Sequence, residues 1–359
     1  MTMTALFDSV ILGDLTLANR IVMAPMTRSR AGDGDVPTDL MIEYYRQRAS
    51  AGLIITEGTQ PSANGKGYMR TPGIHSEAQI AGWRRVTDAV HAQGGRIVLQ
   101  IMHCGRIGSH LNKAPGTRSI APSAIQARGE IVTETGMAPF DEPHALTLSE
   151  IPGVIEEFAQ ATRNALTAGF DGVELHCTSG YLPAQFLSSG SNHRTDAYGG
   201  AAANRIRFVV EAIEAMTGVA GAGCVGFRIC PGNPFNDIWD EDPADTYGSL
   251  LDALSPLGLS YLHLIDVENP QLSSLDLAIR HWRGPLILNE GMTQERGGDL
   301  VVRHVADAIS FGRPFIGNPD LVERFRSGAE LAGFDPATLY TPGRAGYTDY
   351  PALDAEGAQ

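Results

Sequence analysis

Eight short apolar runs separated by helical stripes predict an α/β fold, a (β/α)8 barrel, for this chain of 359 residues. The runs cover 20–25, 52–57, 96–100, 172–176, 224–228, 261–266, 285–289 and 308–312. Several are apolar at successive positions instead of alternating, as strands covered on both faces must be. The length suits either one large barrel with an insertion or two ordinary domains. No repeat, linker or charge block divides the chain, so the expectation is a single domain over 1–359. A doubly wound sheet would place a glycine-rich fingerprint after its first strand, and Ala24-Pro25-Met26-Thr27 is not one.

The connecting helices follow from the 3.6-residue period. Ile80, Trp83, Val86 and Val90 form one stripe. Ile151, Val154, Ile155, Phe158 and Leu166 form a second that stops at Gly169, and Ile206, Val209, Val210 and Ile213 form a third that stops before Gly218. Asn318-Pro319 reads as an N-cap with proline at the first helical position, opening a helix through Phe325. From about 103 to 148 there is no helical pattern, only Gly, Pro and polar residues around a short hairpin at 129–136. A connection that long after the third strand is expected to be a lid or binding loop.

Composition excludes several classes. Lys and Arg number 27 against 41 Asp and Glu, a formal net charge of −14, the wrong sign for neutralising a nucleic-acid backbone. A 43% hydrophobic content fills a sizeable core, yet no uninterrupted apolar run approaches the ~18 residues that span a bilayer. Cys104, Cys177, Cys224 and Cys230 are too few and scattered for a disulfide framework, and with no apolar leader at the start they fit a reducing cytoplasm. No Cys-x-x-Cys pair points to a metal, and ligation by His103, Cys104, His176 and Cys177 is disfavoured because strand neighbours face opposite ways.

In a barrel of this kind, working residues sit at the carboxyl ends of the strands and phosphates bind after strands seven and eight. Those ends are Pro25-Met26-Thr27, Glu57-Gly58-Thr59, Gln100, His176, Arg228, Asp266, Asn289-Glu290-Gly291 and Gly312-Arg313. Gly291 and Gly312 let backbone N–H groups approach an anion, and Arg313 adds a charged donor, so a phosphate-bearing ligand is expected in the mouth. After strand four, a spacing of three brings His176 and Ser179 to one side of a helical turn, with Tyr181 just beyond. A histidine donates to a carbonyl oxygen, and a phenol with pKa near ~10 is a general acid at neutral pH. The same residues also fit a satisfied core histidine and a packing tyrosine.

Beyond these readings, the chain resembles the Old Yellow Enzyme family of flavin-dependent ene-reductases from Phe7 to about Tyr350. The resemblance rests on Asn19-Arg-Ile-Val-Met-Ala-Pro-Met-Thr-Arg28, Gly172-Val-Glu-Leu-His176, Gly180-Tyr-Leu182, Gln185-Phe-Leu187, Ser191-Asn-His-Arg-Thr-Asp-Ala-Tyr-Gly-Gly200, Asn204-Arg205 and Gly312-Arg-Pro-Phe-Ile-Gly-Asn-Pro-Asp320, in family order. It implies non-covalent FMN, with NADPH or NADH as hydride donor and an alkene activated by a carbonyl or nitro group as substrate, in a ping-pong sequence. It implies Pro25, Met26 and Thr27 along the flavin ring, Gly58 and Gln100 at its pyrimidine edge, and Arg228 by N1 and O2. Gly291, Gly312 and Arg313 would hold the phosphate. His176 and Ser179 would bind the activating oxygen, Tyr181 would donate the proton, and Tyr68, Met102 and Tyr340 would line the substrate pocket. Asn192, Arg194, Asp196 and Tyr198 read as a structural loop with a charge pair. The chain would act as a monomer or homodimer.

Two residues depart from the family pattern. Ser179 stands where Asn or a second His is usual, so carbonyl activation would rest mainly on His176, with Ser179 acting through a water. Met102 stands where tryptophan is common, and a flexible thioether would change how an alkene sits. The first departure leaves open a flavoprotein NAD(P)H oxidase or isomerase with weak ene-reduction.

Overall fold

Each of the eight apolar runs forms a parallel strand, and together they close on themselves. In a computed structural model describing residues 3–267, 269 and 272–353, the strands are β1 (Ile21–Met23), β2 (Leu53–Ile55), β3 (Ile97–Ile101), β4 (Gly172–His176), β5 (Val225–Ile229), β6 (Tyr261–Ile265), β7 (Leu286–Asn289) and β8 (Ala308–Phe311). Each pairs with the next, and β8 returns to β1, giving the (β/α)8 barrel that the strand count predicts. The register sets facing residues at equal heights: Gln100 opposite Glu174, His176 opposite Arg228, and Arg228 opposite His263.

The period of two along these strands sorts side chains by layer. One set points out to the helices, as Val173 and Leu175 do in the main core. The other fills the interior. Its lower part is apolar, with Val22, Leu53, Ile55, Val98, Tyr261, Ile287 and Ala308 meeting Leu12, Leu15 and Leu17 of an antiparallel hairpin that plugs the end. Gly226 is required there because a Cβ would lie 2.4 Å from the Tyr261 ring.

The helices meet the expected stripes with three corrections. Ile151–Thr167 buries Phe158, Ala161, Thr162 and Ala165, which leaves Leu166 one position off that face and exposed. Arg207–Ala220 passes through Gly218 and ends at Gly221, which takes φ 80°. A helical glycine only weakens a helix by about 1 kcal/mol, whereas a left-handed one ends it. Asn318 caps no following helix. It closes the short helix Arg313–Gly317, donating to Pro314 O (2.8 Å) and Ala332 O (3.0 Å), and the next helix is Leu321–Ser327.

The long connection after β3 contains the expected hairpin, Glu130–Thr133 against Gly136–Pro139, and a short parallel pair of Ile120–Ala121 with His144–Ala145. Among the described residues, no helix is long and apolar enough to cross a membrane.

Candidate active site

The carboxyl ends of the strands open into a cavity of about 830 Å³. Pro25, Met26, Thr27, Tyr68, Tyr181, Arg228, Gly291, Gly312, Arg313 and Tyr340 all line it, so residues from four strand ends and three loops converge there. Tyr340, 60% exposed, forms the outer edge, where its carbonyl accepts from Arg70 Nη2 at 3.0 Å.

Five of the expected site residues do not line the cavity. Gln100 points into the barrel and donates to Glu174 Oε1 at 2.7 Å. Met102 packs over Gly58, where a Cβ would fall 2.4 Å from the Met102 Sδ, and joins Cys104, Ile107 and Tyr181 in a small apolar cluster. His176 is buried behind Tyr181, with ring centroids 5.1 Å apart. Ser179 does not sit on a helical turn: it takes φ 57°, followed by Gly180 at φ 74°, and its carbonyl accepts from Asn236 Nδ2 at 2.8 Å. The left-handed pair turns the chain into the Leu182–Leu187 helix and delivers Tyr181 to the cavity.

Electrostatics fix the protonation states. Burial, with the Arg228 cation and His263 nearby, holds His176 well below the ordinary imidazole value, so the ring is neutral and carries one N–H. Its buried Nδ1 has no hydrogen-bond partner. Burial raises the Tyr181 phenol well above its ordinary value and pushes Tyr68 up to about 12, so both stay protonated at neutral pH. Their hydroxyls hydrogen-bond at 3.0 Å. Arg228 is buried, spends Nη2 on Asn289 Oδ1 at 2.6 Å and leaves Nε without a partner. Arg313 is exposed, lines the cavity and makes no ion pair among the described residues.

These residues fit FMN. A buried guanidinium with a free N–H suits the electron-rich pyrimidine edge of a flavin, and an unpaired arginine beside Gly291 and Gly312 suits its phosphate. Arg194 and Asp196 pair, and Asn192 Nδ2 binds the carbonyls of Phe186 and Tyr198 away from the cavity.

Residues at the mouth went unnoticed in the sequence. Val132 and Met137 of the hairpin and Phe235 of the loop after β5 line the cavity while more than half exposed. Large apolar side chains in Gly- and Pro-rich loops were the available signal.

Comparison with known proteins agrees with this geometry. Residues 5–332 match the NADH:flavin oxidoreductase / NADH oxidase family. A probable flavin mononucleotide-dependent alkene reductase of Leishmania infantum is 41% identical over 351 residues, covering 96% of each chain. The structure of morphinone reductase in complex with tetrahydroNAD superposes with TM-score 0.93 at 44% identity, covering 98% of each chain. The Old Yellow Enzyme homologue of Zymomonas mobilis gives 0.94 at 41% identity, covering 97% of this chain and 100% of that one. A family match over most of the chain, with relatives this similar along their whole length, means that the chain belongs to the NADH:flavin oxidoreductase / NADH oxidase family, with the Old Yellow Enzymes, and is an NAD(P)H-dependent flavin oxidoreductase that uses FMN.

Proposed function

We propose that the enzyme reduces the C=C bond of small alkenes activated by a carbonyl or nitro group: enones, maleimides, nitroalkenes and nitro esters. The observation that carries this reading is a protonated phenol, Tyr181, at the cavity wall beside a neutral imidazole, His176. FMN, when bound, would supply the hydride chemistry that links NADH or NADPH to the alkene β-carbon in two half-reactions.

The protein's part is to bind, polarise and protonate. His176, although it lies behind Tyr181 and not on the cavity wall, is the neutral N–H donor assigned to the activating oxygen, where negative charge develops, a kind of interaction worth several kcal/mol in a water-poor site. Ser179 assists through a water, since its side chain is not on the cavity wall. Tyr181 gives its proton to the α-carbon, and Tyr68 holds the phenol in place through the 3.0 Å bond. Met26, Thr27 and Arg228 line the cavity, where the first two would hold the flavin ring and Arg228 would hold its pyrimidine edge. Tyr340 and the hairpin residues Ile131, Val132 and Met137 cover the substrate, which makes the 103–148 insertion a lid.

The test separates the half-reactions. The purified protein is expected to be yellow, to bleach with NADH or NADPH without oxygen, and to recolour on adding cyclohexenone, maleimide or a nitroalkene. Bleaching without recolouring by any activated alkene would favour an NAD(P)H oxidase or isomerase, the reading that the position of Ser179 keeps open.

A further inference from the structure

Above the apolar plug, the barrel interior turns polar. In most (β/α)8 barrels these positions hold branched apolar side chains. Here they hold Gln100, Glu174, Arg228, His263, Asn289 and Ser310, and Glu174 and His263 have no solvent exposure at all. Glu174 Oε1 accepts from Gln100 Nε2 at 2.7 Å, and Oε2 lies 2.9 Å from His263 Nδ1. His263 Nε2 in turn lies 2.7 Å from Ser310 Oγ. Burial, with the Arg228 cation nearby, lowers the His263 pKa, so the ring is neutral: Nδ1–H donates to Glu174, and Nε2 accepts from the serine. Both hydrogen-bond partners of Glu174 are therefore uncharged.

The positive charge of the layer is Arg228. Glu174 is in register with Gly226, two residues before Arg228 on the same face of β5. Same-face neighbours on a strand are ~7 Å apart, so in backbone register Glu174 stands about one residue layer beneath Arg228. Across a buried gap of that size two unit charges still interact appreciably: burial lowers the Arg228 pKa, and the Glu174 charge acts against that shift. Burying a carboxylate without an ion pair in contact is unfavourable, and nothing in hydride transfer, substrate binding or phosphate binding calls for it at this depth.

We propose that Glu174 sets the electron affinity of the bound flavin, its buried charge partly cancelling that of Arg228 so that the reduced cofactor gives up hydride more readily. The inference rests on the reading that the pyrimidine edge of the flavin lies over Arg228. Glu174 acts through that arginine and is a positioning residue in the electrostatic sense.

The experiment is a midpoint-potential measurement on FMN-loaded variants by equilibration with a reference dye. Glu174→Gln is expected to raise the equilibrium constant for two-electron reduction tenfold or more, about 30 mV per factor of ten. His263→Gln perturbs the same hydrogen bonds but removes no charge, and is expected to stay within threefold of the parent. If Glu174→Gln does not fold, the double variant Glu174→Met with His263→Leu replaces the polar pair with apolar side chains and is expected to show the same rise. A potential unmoved by removal of the carboxylate, or moved equally by His263→Gln, overturns the proposal. Arg228→Met tests the premise separately. It is expected to lower the potential, and an unchanged value in a flavin-loaded variant would show that the flavin does not lie over Arg228.

Discussion

The two ends of one barrel differ in how their polar groups are treated. At the plugged end, Leu12, Leu17, Leu53, Ile55, Val98 and Ile287 are fully buried and ask for nothing but neighbours. At the open end, Arg228 Nε and His176 Nδ1 are buried without partners, an arrangement that is unfavourable by roughly 1–3 kcal/mol per orphaned group. The same strands build both. A step of two residues turns Val98 into Gln100, Tyr261 into His263, Ile287 into Asn289 and Ala308 into Ser310. The sealed end is packed almost wholly from apolar side chains, with the Tyr261 hydroxyl its one orphaned polar group among those named, whereas at the open end the orphaned groups belong to Arg228 and His176.

The sharpest way to probe that division is at the proton donor. Tyr181→Phe keeps the ring and removes the hydroxyl, and alkene turnover is expected to fall about 10²- to 10⁴-fold in the stopped-flow oxidative half-reaction. Flavin reduction by NADH or NADPH should fall far less, and equal losses in both would contradict the assignment. The sealed end should give the opposite pattern. Leu53→Ala is expected to lower unfolding free energy by about 2–5 kcal/mol in a denaturant titration. Both half-reaction rates, normalised to bound flavin, should stay within a factor of about two. A large rate effect there would mean that the ends are not separable.

How much of this was legible in the sequence depends on the range of the forces involved. The eight strands were legible because burial on both faces demands local apolar runs, and Glu57, Arg228, Asn289 and Gly312 fell out as strand ends. The polar interior could have been read by counting back two residues from those ends, which reaches Glu174 from His176. A spacing of three suggests a helical turn for Ser179, but the following glycine makes the pair left-handed and takes the side chain off that face. The mouth residues Val132, Met137 and Phe235 depend on loop paths set by distant contacts, such as Arg106 Nη2 to Asp237 O at 2.5 Å and the Arg128–Asp237 ion pair. No local pattern encodes those.

Glu57 sits between the two regimes, at the end of β2 and 1% exposed. Burial raises its carboxyl to about 7, against the offsetting Arg28 N–H bond to Oε2 at 3.2 Å. The folded state therefore holds a proton that the unfolded chain releases near 4.5. Its stabilising contribution is fully present below about pH 4.5 and is lost as pH rises to about 7, an effect of about 3 kcal/mol. Glu57→Gln is expected to flatten that part of the stability–pH profile in urea titrations at closely spaced pH values. An unchanged slope would place the buried charge elsewhere.

The smallest expected effect concerns Ser179. Asparagine is among the side chains that best tolerate the left-handed backbone at this position, so Ser179→Asn should fold without added strain. The longer amide reaches farther than the hydroxyl, and one additional direct hydrogen bond is worth about 1 kcal/mol. Binding of a phenol, followed by its charge-transfer band with the oxidised flavin, should tighten by about fivefold to tenfold. Because the gain requires the amide to reach a cavity that the serine does not line, unchanged affinity would show that the turn aims this position away from the ligand. His176 would then be left as the direct donor from this segment.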